Sequence, residues 1–143
     1  MIYHNEYIQH LLNTIDFSCK AFDETRDVAL RFEVKFNINA NENLIACITD
    51  YKFTQDNDDI LYLSLEGIFK VSPETFPSLI ENDELIIPAN ILQYLATICV
   101  GAARGEIHAR ADMLGLNTKN LILPPINLTE CIKKDFRSHI SIV

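Results

Sequence analysis

"VALRFEVKFNIN", Val28 to Asn39, decides how this chain is read. Val28, Leu30, Phe32, Val34, Phe36 and Ile38 occupy every second position. Arg31, Glu33, Lys35, Asn37 and Asn39 alternate with them. A period of two puts the apolar set on one face of an extended strand and the polar set on the other. The stretch therefore predicts a β-strand with one buried and one wet face, and the alternation fixes its register.

Working outward, the same period recurs. Upstream, Ile15, Phe17, Cys19 and Ala21 alternate with Asp16, Ser18 and Lys20, which predicts another strand. Before it, Tyr3 to Asn13 is expected to form a short helix or arm, because Ile8, Leu11, Leu12 and Ile15 follow helical spacing. Downstream, "NANEN" reads as a turn and Leu44 to Thr54 as a strand. "QDNDD" is a second turn, and Ile60 to Val71 a further strand. Gly67 interrupts that last alternation, so a bulge or bend is expected there. Short turns between consecutive strands imply antiparallel pairing.

Beyond Val71 the pattern changes. Ser72 to Ile87 holds Pro73 and Pro77 among Phe76, Leu79, Ile80, Leu85, Ile86 and Ile87, long for a turn and apolar for a solvated loop. A helix is expected from about Asn90 to Leu114, opened by a capping box of Asn90 with Gln93. Gly115 and Leu116 read as its stop and hydrophobic latch. Ile91, Leu95, Ile98 and Ala102 form its apolar stripe, widened by Leu92, Cys99 and Ala103. Gly101 and Gly105 lie one turn apart with small alanines between them. Each glycine costs a helix up to ~1 kcal/mol relative to alanine, so another backbone is expected close by, either the sheet or a second copy of the helix. After it, "NLILPPINL" is apolar yet carries Pro124 and Pro125, which neither a helix nor a central strand tolerates.

The bulk properties narrow the function. A chain of 143 residues points to one domain. Twelve Lys plus Arg against 20 Asp plus Glu leave a formal charge of −8, unsuited to a nucleic-acid backbone. Cys19, Cys47, Cys99 and Cys131 are too scattered for a zinc or redox pair and sit among apolar neighbours, as buried free thiols do. With no leader and no apolar run of about 18 residues, a cytoplasmic protein is expected.

Few reactive groups converge. Of the four histidines, two lie in terminal arms. His108 and Asp112 are four apart on the helix without an evident third ligand, and a solvated ion pair is the plainer role. There is no phosphate loop, nucleophile elbow or HExxH, and "QDNDD" lacks the glycine and closing glutamate of a calcium loop. Arg104 and Arg110 read as a solvated helix face, with anion binding as the alternative. No catalytic residue, metal or cofactor is implied. What is left over is apolar surface in the two proline-containing segments, which either completes a core or walls an open groove.

"LILPPINLTECI" resembles a motif of the SecB family of export chaperones, at Leu121, Leu123, Pro125, Ile126, Asn127 and Leu128. "NIL" at Asn90 to Leu92, with the helix running to Arg104 and Gly105, and "EGIF" at Glu66 to Phe69 are similar to further family motifs. "IDFSCKAF" and "FEVKFNIN" resemble its first two strands, so the likeness runs from about Ile15 to Phe136. The resemblance implies an α+β fold, a four-stranded antiparallel sheet packed on one long and one short C-terminal helix. It implies a homotetramer built as a dimer of dimers, with Ile98, Gly101, Ala102 and Gly105 at the helix interface. It also implies an ATP-independent holdase for unfolded polypeptide clients. The expected groove wall is Phe69, Phe76, Leu79, Ile80, Leu85, Ile87, Leu121, Leu123, Ile132 and Phe136.

The chain departs from the export chaperones in ways that bear on partners. They end in an acidic tail that docks the translocation ATPase, whereas this chain ends "KKDFRSHISIV". Of their acidic sheet-face patch only Asp16 matches, with Lys20 and Tyr62 at other places. The stretch Glu106 to Asn120 is longer than theirs. The sequence looks closer to the solitary and toxin–antitoxin-associated members, so the alternative is a module dedicated to one partner such as an antitoxin. A ligand-binding or enzymatic use of the Arg104–His108 region is the third reading.

Overall fold

A computed structural model describes residues 7–116 and 121–139. Four long strands come first: β1 (Tyr7–Cys19), β2 (Ala29–Asn39), β3 (Leu44–Gln55) and β4 (Asp58–Val71). They form one antiparallel sheet in the order β1-β4-β3-β2. The residues of "VALRFEVKFNIN" pair as their period demands, from Ala29 opposite Thr54 to Asn39 opposite Leu44, with no slip. The β3–β4 hairpin closes through Asp56 and Asn57 at φ 53° and 65°. Left-handed backbone at both central residues is what a tight antiparallel hairpin needs, and Asp and Asn tolerate it better than most residues.

The N-terminal expectation is corrected. Residues 7–13 are strand, not helix, and pair with β4 from Val71 to Glu66; Tyr3 to Glu6 lie outside the described residues. Two irregularities, between Gln9 and Leu11 and between Thr14 and Asp16, break the period of two. Ile15 occupies the second and is 53% exposed, so it does not share a face with Phe17.

One long helix, α1 (Ala89–Met113), lies over β3 and β4. It buries Ile91, Leu92, Leu95, Ala96, Cys99, Val100, Ala103, Ile107 and Ala111. Ile98 and Ala102, expected in the central stripe, are half-buried at its margin. Beneath it Ile45, Cys47, Tyr51 and Phe53 of β3 and Leu61, Leu63, Leu65 and Phe69 of β4 are at most 2% exposed. The bulge expected at Gly67 is absent, since Gly67 pairs in register with Cys47 and Leu12. Its role is close approach: a Cβ there would stand 2.6 Å from the Cys99 Sγ. Cys47, beside the Cys99 sulfur and shut off from water, has its thiol pKa pushed up. Of the other two thiols expected to be buried, Cys19 is half-buried and Cys131 is exposed.

The helix ends differ in how they are held. At the C-terminal end the Gly115 amide bonds to Asp112 O at 3.0 Å and Leu116 to Ala111 O at 3.0 Å, with Gly115 at φ +71°. This is a Schellman stop with Leu116 packed on the core. At the N-terminal end the expected capping box does not form, because the helix begins after Pro88 and Asn90 is already inside it. The carboxylate of Asp135, from the far end of the chain, accepts the Ala89 amide at 2.8 Å instead.

The segment 72–87 is more ordered than its prolines suggest. A 3₁₀ turn, Phe76–Leu79, leads into β5 (Ile80–Glu81) and β6 (Glu84–Ile87), joined through Asn82 and Asp83 at φ 51° and 60°. After one helical turn, α2 (Leu128–Cys131), the strand β7 (Phe136–His139) pairs antiparallel with β6. This second, three-stranded sheet, ordered β5-β6-β7, has no counterpart in the sequence reading.

Candidate polypeptide-binding cleft

An α-helix with its side chains is about 10 Å wide, and strands lie about 4.8 Å apart. One helix therefore covers about two strands of four. α1 covers the central pair, and the apolar face of the edge strand β2 is left half-buried from Leu30 to Ile38. Beside it opens a cleft of about 430 Å³. Its floor is Val34 and Phe36 of β2, its inner wall Leu92 of α1, and its roof the segment from Glu130 to Phe136.

Three contacts with side-chain partners fix the roof. Asp135 holds the Ala89 amide as described, Gln93 Nε2 donates to Ile132 O at 2.8 Å, and Arg137 Nη1 meets Glu84 Oε1 at 2.9 Å. Farther along α1, Arg104 donates through Nε to Leu123 O and through Nη2 to Pro124 O, both at 3.2 Å. The proline segment has no ladder for its carbonyls, and the planar fork of an arginine reaches two of them together. Arg104 is thus a clamp on the polypeptide's own backbone, which corrects its reading as a solvated or anion-binding side chain.

The ten residues expected on a groove wall separate into three groups. Phe69, Phe76, Leu79, Leu85, Ile87, Leu121 and Leu123 are buried in the core of the chain. Ile80 is 37% exposed on β5, away from the cleft. Ile132 and Phe136 are in the cleft lining. The residues missed are Val34, Phe36 and Leu92, because on sequence they look like core. Only the count of strands against helices marks the outermost strand as uncovered.

Elsewhere on α1, Gly101 and Gly105 face away from the sheet, and a Cβ at either meets nothing within 4 Å. Packing on the chain's own sheet is therefore not their reason. At the opposite sheet edge Thr14 Oγ1 donates to Glu106 Oε1 at 2.7 Å, Arg110 Nε reaches the same oxygen at 2.7 Å, and the Arg110 guanidinium lies 4.6 Å from the Phe17 ring centre. The hydrogen bond from Thr14, then Arg110, holds the Glu106 carboxyl below its usual range. Arg110 is committed there. His108 and Asp112 are both exposed, and no group of three or more metal-ligating side chains occurs among the described residues.

No protein-family model and no curated protein sequence matches the chain. Among solved structures it is similar to the Mycobacterium tuberculosis SecB-like chaperone Rv1957, solved in complex with a ChAD peptide from the Rv1956 HigA1 antitoxin. The TM-score is 0.55 at 9% sequence identity, over 86% of this chain and 92% of that one. The chain has a SecB-like α+β fold: a four-stranded antiparallel sheet with one long and one short helix. No helix among the described residues is long and apolar enough to cross a membrane.

Proposed function

We propose that this chain, as a single cytoplasmic domain, binds unfolded or partly folded polypeptide without nucleotide, as a SecB-like holdase. The observation that carries this reading is the cleft beside β2, where half-buried Val34, Phe36 and Phe136 leave apolar surface open over buried Leu92 and Ile132 on a SecB-like fold. Each apolar side chain a client buries there gains roughly 25 cal/mol per Å², so several modest contacts bind without demanding one sequence. The buried members of the expected groove wall other than Ile132 lie outside the cleft lining and act as core. Ile98, Gly101, Ala102 and Gly105 are the proposed contact between copies of α1 in a dimer of dimers, since their glycines lie open on the single chain. The protein acts as a binding module and not as an enzyme, with an antitoxin or the translocation ATPase as the further partners the resemblance offers.

A second reading, a module for one partner, is favoured by the antitoxin peptide bound to the similar mycobacterial chaperone. The test is suppression of aggregation of several chemically denatured clients by the purified protein at stoichiometric amounts without nucleotide. Protection across clients supports the general holdase. Protection of a single antitoxin segment alone supports the dedicated module. If neither is protected and no polypeptide binds, the function proposed here is wrong.

A further inference from the structure

We propose that the client segment in this cleft is held as a fifth strand, its backbone paired with the free edge of β2 and its alternate side chains turned into the cleft. This deepens the reading above and rests on it. β2 is the outermost strand of its sheet and pairs only with β3. Along its 11 residues there is no register shift and no proline. An edge strand turns half of its amides and carbonyls outward, and such an edge is ordinarily blunted by bulges, proline or a covering element. β1, at the other edge, carries two irregularities. No described residue pairs with the outer edge of β2.

The cleft and that edge belong to the same residues. Val34 and Phe36 present their side chains to the cleft while their strand borders open solvent. A chain laid alongside β2 at the ordinary strand spacing of about 4.8 Å would direct every second side chain toward Phe136 and Ile132. Apolar burial alone asks nothing of the client backbone; an unpaired edge asks for an extended one with free amide hydrogens. The occupant is thus an extended, proline-free segment with apolar side chains at alternate positions.

The experiment uses the full chain and a fluorescent ten-residue peptide with Leu and Phe at alternate positions. Two isomers of it are N-methylated, one on odd and one on even residues. In an added strand, odd and even amides point to opposite sides. One isomer is expected to bind roughly tenfold more weakly than the parent, the other within about threefold. Hydrogen exchange of residues 29–39 should slow when the parent binds. Equal affinity of the two isomers, whether both retained or both weakened, overturns strand addition and leaves polypeptide binding standing. Failure of the parent peptide to bind removes the reading of the cleft itself. A dimer of the protein that the peptide dissociates would put a second copy on this edge and overturn the assignment to a client.

Discussion

The two edges of the main sheet are built differently. β1 is interrupted twice and tied to α1 by the Thr14–Glu106–Arg110 chain of contacts, with the guanidinium over Phe17. β2 is regular throughout, and its apolar face looks onto a cleft instead of a helix. Bulges and cross-ties make an edge a poor template, while regularity beside an apolar trough makes a good one. The asymmetry follows from where the helix sits. Cys99 descends onto the bare backbone at Gly67, which centres α1 over β3 and β4 and leaves one outer strand uncovered.

The largest way to break this comparison is to lift the helix from its seat. Gly67→Ala puts a methyl 2.6 Å from the Cys99 sulfur. Overpacking of this kind is expected to cost about 1–3 kcal/mol in urea unfolding. Cys99→Ala removes the obstructing sulfur, so the double variant should recover part of the loss in a double-mutant cycle. Additive costs would show that the seat is not made by this contact.

A change in the floor of the cleft should separate binding from stability. Phe36→Ser on the half-buried face of β2 is expected to weaken client binding roughly tenfold or more, read by fluorescence anisotropy. Its cost in unfolding free energy should stay near 1 kcal/mol, below the about 3–5 kcal/mol of a fully buried phenylalanine cut to alanine. Unchanged client affinity would move the site elsewhere.

At the β1 edge, Glu106→Gln should destabilise by about 1 kcal/mol or less at neutral pH. The sign follows from the direction of its shift. A carboxyl held below its ordinary 4.5 in the folded chain adds stability above that pH and loses it as pH falls through the lower folded value. The variant and the parent should therefore converge in acid, as thermal unfolding between pH 7 and pH 3 would show. The smallest effect belongs to Gly101→Ala. On the single chain it meets open space and should stabilise α1 by up to ~1 kcal/mol. In the proposed contact between copies of α1 the same methyl should weaken the oligomer in light scattering, and an unweakened oligomer would move that contact elsewhere.

Much of the fold was legible where period did the work. Val28 to Asn39, Leu44 to Thr54 and Ile60 to Val71 are long enough for alternation to repeat, and Gly115–Leu116 is a local signal. β1 was half lost because its bulges shift the phase, so that Leu11, Leu12 and Ile15 imitate helical spacing. β5, β6 and β7 hold two to four residues each, too short for a pattern, and β7 pairs with β6 across about fifty positions, too distant for a turn. The cleft was legible only in its Ile132 and Phe136 side. Its β2 side is indistinguishable from core until the helix is placed, since alternation says which face is apolar and not what covers it.

The hydrogen bond from the Ala89 amide to Asp135 has a mechanical consequence. The first turn of the long helix is completed by the same short stretch that forms the lid of the trough, so the two share one latch. A bulky guest that pushes the lid outward must loosen the beginning of the helix as it enters. Occupancy would then be felt along a 25-residue rod whose far end lies beside the opposite border of the sheet.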